Sequence, residues 1–137
     1  MGFYEVGERA EEIGQAEVSA AYKVHVKLGP GLLEKIYEAC MAHELRKMGF
    51  QVERQAQLSI FYDGIRFDEG LRIDLLVEDQ VIVELKAVDE LNAVWQSQII
   101  SHLHLAKMNL GYLINFNVPI IKKGIKRFRR LRREERY

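Results

Sequence analysis

A chain of 137 residues suits one domain on the usual scale of roughly 100–200 residues, and its 48% hydrophobic and 29% charged residues exclude a disordered polymer. Its one cysteine, Cys40, excludes an internal disulfide and a cysteine-built zinc site, and no apolar run nears the roughly 18 residues of a membrane span. The formal net charge of zero hides an asymmetry: residues 122–137 carry +7 and residues 1–121 carry −7, so a basic tail on an acidic body points to a polyanionic partner.

The N-terminal residues MGFYEVGERAEEIG are acidic where an export signal is basic. Val6 also breaks a myristoylation pattern. The expected compartment is therefore the cytoplasm, with no membrane partner. Ile13, Ala16, Ala20, Val24 and Leu28 recur at helical spacing and predict a helix over 8–28. Gly29-Pro30-Gly31 stops it. A second helix is expected from about Leu32 to Met48, with Leu33, Ile36, Tyr37, Cys40 and Leu45 inward and Gly49 as its cap. From Gln51 the period falls to two: one strand over 52–62, a turn at Asp63-Gly64, a second strand from Ile65, and a hairpin of 71–77 with 81–87. Helical spacing returns over 91–108, then strands over 111–117 and, at a sheet edge, 124–131. No linker or repeat divides the chain. The order α-α-β-β-β-β-α-β-β predicts a single mixed α/β domain with one central sheet flanked by helices.

Chemistry concentrates in the hairpin. In VIVELKA, Ile82, Glu84 and Lys86 share one face of a strand that is otherwise apolar, and a buried carboxylate costs several kcal/mol unless something compensates it. A two-residue turn at Asp79-Gln80 would put Asp74 opposite Leu85, on the wrong face. A three-residue turn, Glu78-Asp79-Gln80, would put it opposite Glu84, and this is the expected register. Opposed like charges destabilise a sheet, unless a hard divalent cation lies between them with waters and phosphate oxygens filling its shell. On the following helix Leu91, Val94, Trp95, Gln98 and His102 form a stripe in which one amide and one imidazole interrupt apolar residues. Such groups need partners, either an active-site wall or, for Gln98, a sheet edge or a core backbone group. His102 and His104 point apart, which argues against a paired-histidine metal clamp; His25 and His43 are expected at solvated or boundary positions, and Cys40 as an inert core thiol.

Asp74, then nine residues, then Glu84-Leu85-Lys86 resembles the core of the PD-(D/E)xK nuclease superfamily. Gly31-Leu32-Leu33-Glu34-Lys35-Ile36-Tyr37 resembles the signature of its GxxExxY branch. His43-Glu44-Leu45, Arg72-Ile73-Asp74-Leu75-Leu76-Val77, Val83-Glu84-Leu85-Lys86-Ala87-Val88 and Leu113-Ile114-Asn115-Phe116 continue the likeness over roughly residues 10–127. Ile73 replaces the superfamily's proline, and His102 stands where a tyrosine is frequent.

The resemblance implies a restriction-endonuclease-like core and metal-dependent hydrolysis of phosphodiester bonds. Asp74 and Glu84 would bind Mg²⁺ (or Mn²⁺), with the Leu85 carbonyl and Glu34 as further ligands. Lys86 would assist the attacking water or the transition state, and Gln98 would line the site. Glu34 also lies in a helix's first turn, where an acid is favoured without any catalytic duty. Tyr37 is expected to pack, its hydroxyl touching the same cluster. Lys122, Lys123, Lys126, Arg127, Arg129 and Arg130 are candidates for holding backbone phosphates. The implied partner is nucleic acid, DNA ahead of RNA, and a homodimer is compatible with so small a domain. The competing reading is a catalytically silent module that binds nucleic acid or protein on the same fold.

Overall fold

The computed structural model describes residues 2–133, in which the apolar periodicities settle into three helices and a five-stranded sheet. α1 (Glu8–Leu28) buries Ile13, Ala20, Ala21 and Val24 and ends at Gly29, whose φ of 66° suits glycine. α2 (Glu34–Lys47) buries Tyr37, Met41, Ala42 and Leu45. Leu33 and Ile36 were expected inward but are 74% and 41% exposed. Leu33 is the extended residue preceding the helix, so its side chain leaves the helical stripe, and Ile36 flanks the row that Tyr37 begins.

β1 (Val52–Tyr62) and β2 (Ile65–Val77) form a long antiparallel ribbon closed at Asp63-Gly64, both with positive φ as the tight hairpin turn requires. The separate strands expected from Ile65 and over 71–77 are thus one strand, leaving three rather than four before the third helix. Between the two, Asp68-Glu69-Gly70 stands opposite Ser59 alone, where the register of the ribbon shifts between Leu58 and Ile60. A Cβ at Gly70 would lie 2.8 Å from the Leu58 carbonyl oxygen and the Ile60 amide nitrogen, so only glycine lets the strands stay together there.

β3 (Val81–Lys86) pairs antiparallel with β2, and α3 (Ala93–Ala106) then crosses over to β4 (Leu110–Asn115), which lies parallel to β3. β5 (Ile125–Arg129) closes the order β1-β2-β3-β4-β5 as the expected edge strand. α1 and α2 pack on one face, against Leu75, Val77, Val83, Leu85 and Ile114. On the other face Leu103 of α3 packs with Ile73, Leu76 and Ile82. The class is therefore α/β, a mixed sheet between helices. No helix of the described residues is long and apolar enough to cross a membrane.

Candidate active site

The β2–β3 turn has the expected register, with Val77 opposite Val81. Glu78 and Asp79 both take left-handed φ values of 53°. The ladder then stops at Leu75–Val83, one residue short of an Asp74–Glu84 pair. Asp74 replaces the next rung with its side chain: Oδ2 accepts a 2.8 Å hydrogen bond from the Leu85 amide. Opening the ladder there brings the Asp74 and Glu84 carboxyl groups together. Leu85 thus meets Asp74 through its N–H.

Glu84 lies on the α3 side of the sheet with Ile82, as the alternation requires. Burial pushes its carboxyl up to about 7, with Asp74 adding to the rise and a hydrogen bond from His102 opposing it. His102 Nδ1 is 3.3 Å from Glu84 Oε1, so the imidazole expected on that helical face finds its partner. Lys86 does not pair with Glu84; its ammonium stands 4.8 Å from the centroid of the Trp95 ring. The side chain of Lys86 is therefore held by an aromatic face.

Glu34 opens α2 at the rim of the cluster. It is exposed, yet near enough that partial burial and then Asp74 raise its pKa while Lys86 lowers it. One turn further, Glu38 is buried and paired with Arg54 at 3.1 Å. Gln55 of β1 links this helix to the hairpin, donating from Nε2 to Glu38 Oε1 and, at 3.3 Å, to Asp74 Oδ1. Its Oε1 accepts from Arg72 Nε at 2.6 Å. Sequence reasoning missed Glu38 and Gln55. For Glu38 the available signal was an acid four residues after Glu34, hence on the same helical face; for Gln55 there was none, because the turn at Asp63-Gly64 alone would set Glu53 opposite Asp74 and the irregularity in β2 shifts the register.

Other signature residues build the frame. Tyr37 stacks on Phe116, centroids 4.4 Å apart, and its hydroxyl donates to the Gly29 carbonyl at 2.6 Å and accepts from the Leu32 amide at 3.1 Å. The hydroxyl clamps the Gly-Pro-Gly loop rather than touching the acids, contrary to expectation. Asn115 is buried and holds Val88 through both its N–H and its carbonyl, fixing the segment that leaves Lys86 for α3. Of the two histidines expected at solvated or boundary positions, His25 is 9% exposed with Nε2 2.8 Å from the Val118 carbonyl, and His43 is exposed. Cys40 is half-buried against the core.

Gln98 is exposed on α3 between the turns that carry Trp95 and His102, with no hydrogen-bond partner among the described residues. The basic candidates divide in two. Arg127 makes a two-pronged pair with Glu11 at 2.6 and 3.1 Å. Arg129 bonds the Tyr4 carbonyl, and Arg130 lies 4.1 Å from the Tyr4 ring centroid. These three arginines fasten β5 and the N-terminal segment. Lys122, Lys123 and Lys126 are exposed. Lys126 shares a cross-strand row with Leu113 and Glu84, two strands and about 10 Å from the acid. Tail residues 134–137 lie outside the described residues.

Two converging acids, one of them costly to ionise by itself, suit a hard divalent cation that keeps most of its waters. Among the described residues no group of three or more His, Cys, Asp or Glu forms a ready-made metal cage. The donor set that fits is therefore the Asp74–Glu84 pair with open positions. No curated protein and no solved structure matches this chain. The profile of the PD-(D/E)XK nuclease superfamily matches residues 11–128, taking in nearly all of the three helices and five strands and every acid of the cluster. With its restriction-endonuclease-like architecture, the chain belongs to the PD-(D/E)XK nuclease superfamily.

Proposed function

We propose that the protein is a metal-dependent nuclease of the GxxExxY branch that hydrolyses nucleic-acid phosphodiester bonds. The observation that carries this reading is the convergence of the Asp74 and Glu84 carboxyl groups at an opened ladder, with Lys86 on the same strand and paired to neither acid. Asp74 and Glu84 would hold Mg²⁺ (or Mn²⁺), with Glu34 and the Leu85 carbonyl as the further ligands that the family likeness implies, and the ion would supply Lewis acidity at the phosphoryl oxygen. Lys86, steered by Trp95, presents a positive charge where negative charge develops at phosphorus or on the attacking water. His102 holds Glu84 from the helix side, and Gln98 lines the outer wall. Lys122, Lys123 and Lys126 give the backbone phosphates a sequence-independent hold. DNA is the expected substrate ahead of RNA, the cytoplasm the expected compartment, and a homodimer the assembly that would present two cuts.

The test is a nicking and degradation assay on duplex DNA, single-stranded DNA and RNA with Mg²⁺ or Mn²⁺. Lys86→Met, Asp74→Asn and Glu84→Gln should each reduce cleavage at least about 100-fold, the scale of losing one transition-state charge contact. Binding without cleavage by the wild-type protein in both metals would give the site to the silent binding module.

A further inference from the structure

Five non-glycine residues have positive φ among those described. Asp63, Glu78 and Asp79 make tight turns, and Lys107 caps α3. Gln55, at φ 51°, is the one inside a strand. A side chain in this region strains the backbone, and such strain persists only where surrounding contacts impose it. Here it aims a fully used amide. Both N–H groups go to carboxylates, of Glu38 and Asp74, and the carbonyl goes to Arg72. Arg54↔Leu75 and Ala56↔Ile73 pair on either side, while Gln55 and Asp74 do not. The distortion thus lies on the same row where β2 releases β3.

We propose that Gln55 is a positioning residue: its side-chain amide, aimed by a left-handed kink in β1, fixes the Asp74 carboxylate and separates it from Glu38 without adding charge. The residue type follows from the electrostatics. Glutamate here would place a third acid against two others, and lysine would neutralise the acids in place of a cation. The amide gives both carboxylates a donor and adds no charge. With Oδ1 held by Gln55 and Oδ2 by the Leu85 amide, Asp74 loses its rotational freedom before any ligand arrives. The proposal rests on the nuclease reading only where a cation is the probe.

Gln55→Gly tests it, because glycine keeps the left-handed backbone and deletes only the amide. The expected protein remains folded, relief of the backbone strain offsetting part of the loss of the amide's bonds to two carboxylates. Its Leu85 amide exchanges with solvent about tenfold faster relative to Val83, since a freed Asp74 no longer holds that proton. Its affinity for Mn²⁺, measured by calorimetry with metal alone, falls about 10–100-fold, the usual effect of losing a group that orients a metal ligand. Should the glycine variant not fold, Gln55→Asn, also tolerant of positive φ but one methylene too short to reach, takes its place with the same readouts. Leu85 exchange and Mn²⁺ affinity both at wild-type levels would overturn the proposal. If the wild-type protein binds no Mn²⁺, the nuclease reading fails, and Leu85 exchange alone decides the role of Gln55.

Discussion

At the residue scale, two acids carry pH dependences of the same sign, and burial is the leading cause in both. Burial raises Glu84 from its ordinary 4.5 to about 7 in the folded protein, so its contribution is fully present below the unfolded value and is lost as pH rises through about 7. Between about pH 4 and pH 8 this group should remove on the order of 3 kcal/mol of stability. Glu84→Gln should lack that part of the decline, which denaturant unfolding at several pH values would show. Glu17 is wholly buried on α1 with neither oxygen hydrogen-bonded, and desolvation holds its pKa well above the usual carboxylate range. Its ionisation in the unfolded chain alone opposes folding at neutral pH, so Glu17→Leu should raise the melting temperature at about pH 7 more than at about pH 4. Asp74, Glu84 and Lys86 were legible in the sequence because strand alternation fixes which side chains share a face. Glu38 and Gln55 were not, because their role comes from contacts between a helix and a strand that no local period encodes.

At the level of elements, the signature residues of α2 act as fasteners as much as chemistry. Tyr37 joins the Gly29–Leu32 loop to Phe116 beyond β4. Tyr37→Phe keeps the stack but leaves the Gly29 carbonyl and the Leu32 amide without the hydroxyl, and should cost about 1–2 kcal/mol of unfolding free energy. If the frame also sets the rim of the site, Glu34 should move with it, and the variant should lose cleavage as well as stability. All three helices were readable to within about two residues, and so was the edge strand's core. The β1–β2 ribbon was harder: Asp68, Glu69 and Gly70 face Ser59 alone, and this irregularity, which no local period encodes, lies within one strand from Ile65 to Val77.

Across the whole molecule, the charge asymmetry divides into structural and available parts. Arg127, Arg129 and Arg130 close the far edge of the sheet, while His104, lowered first by burial and then by Arg133 and Arg130, registers the positive field on that side of α3. Lys122→Ala, Lys123→Ala and Lys126→Ala together should weaken nucleic-acid binding and reduce the salt slope by about 2–3 with little change in melting temperature. Arg127→Ala should instead lower stability while leaving that slope nearly intact, which separates a strut from a phosphate contact. The net composition could reveal the basic segment but not this division, since pairing with Glu11 depends on where α1 lands. The clasp at that edge has a practical corollary. Gly2 and Arg132 share a 2.9 Å backbone hydrogen bond, and Phe3 bridges Leu131. The two ends of the described chain are therefore neighbours: a short linker could splice them, with fresh termini cut at the Asp63-Gly64 bend, and the circularly permuted protein would keep every acid of the cleft in place.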